Sequence, residues 1–148
     1  MRKTEQVLAA FFARLATMAT DPVDGPAVLR QTDKPENIPP GGLIILRDGV
    51  PGEPVETYVS PLTYIYDHLV TVELFARGAT REERAAALDA LLVALGVVLD
   101  ADRTLGGLCD DVREQAPEPD DAELEGAETE AFAEVPVVLS YGTSSPLA

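Results

Sequence analysis

One histidine and one cysteine stand in this chain, and they bound the acid–base and nucleophilic chemistry open to it. His68 follows Asp67 directly, inside "LTYIYDHLVTVEL" at 62–74. A histidine steered by a carboxylate is the working part of many general-base arrangements. The flanking residues argue otherwise. Leu62, Tyr64, Tyr66, His68, Val70, Val72 and Leu74 alternate with Thr63, Ile65, Asp67, Leu69, Thr71, Glu73 and Phe75, which is the period of a strand. Neighbours on a strand project to opposite faces, so Asp67 cannot orient His68 from within it. The expected His68 is partly buried and bonded to a backbone group or a tyrosine.

Cys109 could be a nucleophile only with a base beside it, and His68 is the one imidazole. A small thiol or acyl-transfer enzyme using Cys109 and His68 is therefore the alternative reading. Asp110 and Asp111 weigh against it, because adjacent negative charge raises a thiol pKa. A small buried cysteine is the expectation. One His and one Cys cannot build the usual zinc site, and the acidic stretch lacks the ligand spacing and central glycine of a calcium loop. No G-x-G-x-x-G and no G-x-x-x-x-G-K-[ST] occurs. "PPGG" at 39–42 reads as a turn, and "YGTSSP" is no nucleophile elbow. The sequence thus assigns no catalytic residue, no metal and no cofactor, and the expectation is a protein that is not an enzyme.

The elements that would carry these residues follow from periodicity. A helix is predicted over 4–19, with Val7, Leu8, Phe11, Leu15 and Met18 on one face, ended by Asp21-Pro22. A short extended piece at 27–30 and a Pro/Gly-rich loop come next. "LIILRDGVPGEPVETYV" predicts a hairpin with arms at 43–46 and 55–59 and a turn region opening at Asp48-Gly49. The 62–75 strand is long and must bend or run past the core. Thr80 and Glu83 form a capping box for a helix reaching about Asp100, with Leu88, Leu91, Leu92, Leu95, Val98 and Leu99 inward. Leu105, Leu108 and Val112 suggest a short helical turn. An acidic, Pro-rich loop is placed at 113–129, a last strand at 130–141 with Pro136 marking an edge or a bulge, and a tail at 142–148. Helix, strands, helix, strands in that order is an α+β class: a mostly antiparallel sheet with two main helices packed on it, in a single domain spanning 1–148.

Two features remain unabsorbed. The outward face of the second helix carries Ala86, Ala90, Val93, Ala94 and Val97, more apolar than a solvated face should be. Either other parts of the chain cover it, or a neighbouring subunit does; Ala86, Ala90, Val93 and Val97 are the candidate interface. The second feature is charge. With 11 basic against 26 acidic residues the chain carries −15, the wrong sign for gripping a nucleic-acid backbone. Between Asp110 and Glu134 stand eleven acids and one base, Arg113. Asp120, Asp121, Glu123 and Glu125 are the candidate channel-lining or partner-binding residues, and an acidic adaptor module is a further alternative. A lone cysteine makes no internal disulfide. Glu5, Gln6 and Arg14 interrupt the first apolar stretch, against a signal peptide, and no run approaches ~20 apolar residues. A soluble protein that folds in a cytosol is expected.

Taken together, the N-terminal helix, "IPPGGLIILRDGVPGEP", "SPLTYIYDH", the capped helix after "GATREE", "ADRTLGGLCDDVREQAPEP" and the closing "VPVVLSYGTSSPL" resemble the tail terminator, or tail completion, proteins of long-tailed phages, prophages and gene transfer particles. The resemblance spans nearly the whole chain, in the order of its motifs. It implies a compact α+β subunit closing into a homo-hexameric ring at the head-proximal end of the tail tube. Such a ring stops tube growth, contacts the tail tube protein on one side and the head–tail connector protein on the other, and lets DNA through without specific nucleic-acid binding. It also implies a virion location after assembly in the host cytoplasm, no membrane, and no catalytic positions to transfer.

Overall fold

The computed structural model describes residues 1–20, 25–119 and 130–148. The fold is α+β. Among the described residues, two α-helices and a short 3-10 turn accompany a seven-stranded sheet.

Helix α1 (Lys3–Ala16) buries Val7, Leu8, Phe11 and Leu15, spaced to share one stripe. The helical chain tightens into a 3-10 turn at Thr17–Thr20, a common way to close a helix. The predicted stop at Asp21-Pro22 lies outside the described residues. The strands are β1 (Ala27–Arg30), β2 (Leu43–Val50), β3 (Glu56–Val59), β4 (Leu62–Arg77), β5 (Asp111–Glu114), β6 (Glu118–Pro119) and β7 (Glu130–Thr143). Helix α2 (Arg81–Ala101) follows β4. Its start is the expected box with one change. Thr80 Oγ1 accepts from the Glu83 N–H at 3.1 Å, while Glu83 Oε2 reaches the N–H of Ala79 at 3.0 Å rather than that of Thr80. Among the described residues no helix is long and apolar enough to cross a membrane.

The backbone of the fold is one ladder. β4 and β7 pair antiparallel in unbroken register from Tyr64↔Thr143 to Arg77↔Glu130. The free side of β4 is shared: β2 takes Leu69–Phe75 and β3 takes Leu62–Ile65. The free side of β7 is shared likewise by β5 and β6. β1 joins β2 in parallel. The expected hairpin between 43–46 and 55–59 is therefore not formed. Both arms pair with β4, end to end along the same edge, and the hairpin partner of β3 is β4 across Ser60-Pro61. Asp48-Gly49 is not its turn either. β2 continues to Val50, and its register against β4 shifts between Arg47 and Val50. Gly49 sits there at φ +59°, where an added Cβ would collide with the Leu69 carbonyl oxygen; only glycine fits.

Three further expectations change. Leu105 and Leu108 form no helix. Leu105, Gly106 and Gly107 all have positive φ, and the Asp102 carboxylate takes the N–H groups of Thr104 and Gly106 at 2.9 and 2.8 Å, which holds a turn instead. Val112 belongs to β5 and is buried. The segment expected as a loop from 113 contributes β5 and β6 before Asp120. Pro136 lies in an interior strand without a bulge. Its carbonyl accepts from the Gln115 N–H at 2.8 Å, so its nitrogen points to the same side. That side is the gap where β5 has ended and β6 has not begun, and no donor is needed there.

Sheet parity sets the core. Tyr66, Val70, Val72, Leu74 and Ala76 of β4 join Val135, Val137, Leu139 and Tyr141 of β7 beneath α1 and α2, and His68 is buried in the same row. On the opposite face, among the described residues, cover is found at one end, where Ile38 of the 31–42 loop packs on Leu43, Ile45 and Phe75. The last residues fold back: the Lys3 N–H donates to the Ala148 carbonyl at 2.9 Å.

Candidate functional site

His68 is fully buried, deeper than the part-buried position expected, and both of its nitrogens are engaged. Nε2 lies 2.6 Å from the Asp48 carbonyl oxygen and Nδ1 lies 2.9 Å from the Tyr141 hydroxyl. A carbonyl only accepts, so Nε2 carries the proton. Burial pulls the His68 pKa below its ordinary value, which keeps the ring neutral and Nδ1 an acceptor. Tyr141 then donates to Nδ1, and its oxygen accepts from the Thr4 hydroxyl at 3.0 Å. The chain Thr4–Tyr141–His68–Asp48 stitches α1, β7, β4 and β2 with every partner satisfied. Both ring nitrogens are engaged, so in this arrangement His68 has no free lone pair.

Asp48 anchors a second set. Its backbone N–H donates to Gln31 Oε1 at 2.8 Å, and its carboxylate takes two bonds from Arg30. Arg30 also holds Glu5 through two bonds of 3.0 Å. These doubled charge-assisted bonds raise the Arg30 pKa further above its already high value. They tie α1, β1 and the β2 irregularity together.

Asp67 faces the other way, as strand parity demands. It accepts from Ser140 Oγ at 2.7 Å, and Arg113 joins Ser140 and Asp111 at 3.2 and 3.1 Å. Nothing brings Asp67 to His68. Cys109 is buried. Burial, then the charges of Asp110, Asp102 and Asp111, push its thiol up to about 11. Its sulfur faces the Arg103 carbonyl at 3.9 Å, and both imidazole nitrogens are taken elsewhere. Among the described residues no group of three or more His, Cys, Asp or Glu is placed to hold a metal ion.

The surface is more informative. Ala86, Ala90, Val93 and Val97 all lie exposed along α2; Val93 is 62% and Val97 65% exposed. No described part of the chain covers them. Of the two readings of this face, cover from within the chain fails for the described residues. The candidate acidic residues Asp120, Asp121, Glu123 and Glu125 lie outside the described residues.

A second apolar surface was missed from sequence. At the β3–β4 hairpin Val55, Tyr58, Val59 and Leu62 are 55%, 53%, 85% and 48% exposed. Val59 and Leu62 are paired and so share a face. The signal was the length of the 62–75 pattern: a strand of sixteen residues exceeds the ~5–6 residues that one core usually needs, and its surplus is this projection.

No protein-family model matches the chain, and no curated protein matches it.

Proposed function

We propose that this chain is a virion structural protein whose copies close into a ring that terminates the tail tube of a long-tailed phage or phage-like particle and joins it to the head–tail connector. The observation that carries the reading is the exposed apolar face of α2, unpartnered among the described residues. A ring needs a heterologous contact between subunits that closes by rotation, and no reactive centre. The resemblance of the motifs, in their order along the chain, supplies the identity of the particle.

The thiol-enzyme alternative has less support. Its nucleophile is a buried cysteine with a raised pKa, and its base has both nitrogens bonded to other groups. The strongly acidic composition fits a channel that DNA passes without adhering, through like-charge repulsion. Neutralising Asp120, Asp121, Glu123 and Glu125 tests that role: slower DNA ejection is expected, and unchanged ejection counts against it.

The test of the reading is tube length. Matching tube proteins are assembled with and without this protein and imaged by negative-stain electron microscopy. Capped tubes of limited length with a ring at one end are expected. Tubes that grow without limit and show no terminal density would overturn the terminator assignment.

A further inference from the structure

We infer that the β3–β4 hairpin of one copy seats on the outer face of α2 of the next, so that subunits join head to tail. The contact itself requires only a second copy of this chain; its closure into a tail-terminating ring rests on the reading above.

Large exposed hydrophobics define the two surfaces. Among the described residues they are Met1 and Leu147 at the termini, six positions between Val50 and Leu69, and Val93 and Val97 on α2. Apart from the termini, then, exposure concentrates at two places. They are different in shape, one a narrow two-stranded ribbon and one a helix face. Two unlike surfaces make a heterologous contact, and a heterologous contact leaves one surface of each kind free at the ends, to close or to propagate.

Charge points to the same pair. Copies carrying −15 each repel, so association is favoured where charge is sparse. Between Val55 and Tyr66 the only charged residue is Glu56, and between Ala85 and Leu99 the only one is Asp89, in a chain where 25% of residues are charged. Glu82, Glu83 and Asp100 bracket the helix window, so a second acidic copy is held to the stretch between them.

Dimensions agree. The four residues of β3 span ~13 Å, and the α2 window from Ala86 to Val97 spans ~17 Å. A subunit cannot satisfy itself. Its hairpin is fixed in the sheet by the β4–β7 pairs from Tyr64↔Thr143 onward, while the α2 face in question is turned away from that sheet. A contact of this size falls below the ~800 Å² per partner of a standard interface. Isolated dimers are therefore weak, and a closed ring, in which every copy makes the contact twice, is favoured. Because the partners are like-charged, added salt strengthens the association by screening.

The test uses two variants of the full chain, one with Val59→Glu and Leu62→Glu in the hairpin and one with Val93→Glu and Val97→Glu on the helix. All four residues are exposed, and circular dichroism checks that the fold is kept. By native mass spectrometry the wild type is expected to form closed oligomers and each variant alone to stay monomeric. Mixed at high concentration and in added salt, the two are expected to populate a weak one-to-one dimer and nothing larger, since one good contact remains. A second measurement mixes Val59→Cys with Val93→Cys, each in a Cys109→Ala background, adds a mild oxidant (copper–phenanthroline) to take up the two electrons, and expects a disulfide between copies. A monomeric wild type at every concentration, either glutamate variant assembling like wild type, or a mixture that stays monomeric without cross-linking overturns the contact. If wild type caps tubes but the hairpin variant caps them equally well, the contact falls and the terminator reading stands. If the mixed dimer forms but wild type leaves tubes uncapped, the contact stands and the terminator reading falls.

Discussion

Strand β4 lives in two environments. From Tyr66 to Ala76 its even-numbered side chains are buried beneath both helices, and the His68 ring has every polar partner it can use. Four residues earlier the same strand leaves the core with β3, and Val59 and Leu62 meet solvent. The sequence pattern is the same alternation throughout; what differs is what lies over it. The buried end commits its chemistry to stability. The projecting end contributes little to stability, and its apolar surface is available to another copy of the chain. The histidine of the first region has both ring nitrogens bonded within the fold, whereas the aliphatic side chains of the second are left without cover among the described residues; the proposed subunit contact uses the second.

Breaking the buried end should have the largest effect. Leu139→Ala, beside His68 in the ladder, is expected to cost ~2–5 kcal/mol, whereas Leu62→Ala in the hairpin should change stability by less than ~0.5 kcal/mol. Urea titrations of the two read the contrast directly. Gly49→Ala comes next. It places a side chain at φ +59° against the Leu69 carbonyl, and a loss of about 1–3 kcal/mol is expected in the same titration.

His68 gives a pH signature. Its folded pKa lies below the ordinary 6.5, so the unfolded chain binds the proton first as pH falls. The stability held by the neutral ring is complete above about pH 6.5 and declines below it, at no more than ~1.4 kcal/mol per pH unit. Thermal melts of wild type and His68→Gln between pH 7.5 and 5.5 should show this slope in the wild type and a shallower one in the variant. Equal slopes would mean His68 does not titrate as described. His68→Gln should also lower stability at pH 7.5, by ~1–3 kcal/mol if the Asp48 carbonyl is left without its donor.

The smallest effect concerns Cys109. With its thiol pushed up to about 11, iodoacetamide at pH 8 should label the native protein at least ~100-fold more slowly than a free thiol. Rapid labelling of the folded chain would place Cys109 in a reactive setting and sharpen the enzyme alternative.

The two regions also differ in how far sequence reveals them. Strand parity put His68 and Asp67 on opposite faces, and the capping residues placed the start of α2, because both depend on local geometry. The pairing of β2 and β3 differs from the sequence expectation because neighbours in sequence invite a hairpin. Here β4 is long enough to pair with both, a choice made by tertiary packing. The Asp48 carbonyl as a partner of His68 depends on the β2 register shift, which no local pattern announces beyond the glycine that permits it. At 105–108 the apolar spacing suggested helix, but Gly106, Gly107 and the Asp102 carboxylate favour a turn. The reading of Pro136 as an edge or a bulge has sound local grounds; what no local pattern announces is that β5 and β6 leave a gap beside Val135 and Pro136. On α2 the apolar outer face was legible from composition alone. What seats on it was not, since an interface is a property of two chains.

The most direct test sets the two regions against each other in one assay. Tube capping is measured by electron microscopy with folded Cys109→Ala and with folded Val59→Glu. Capping as in wild type by Cys109→Ala, with tubes growing past their normal length beside Val59→Glu, is the expected result. Normal capping by Val59→Glu together with loss of capping in Cys109→Ala would contradict the account, and would return function from the exposed hairpin to the buried thiol.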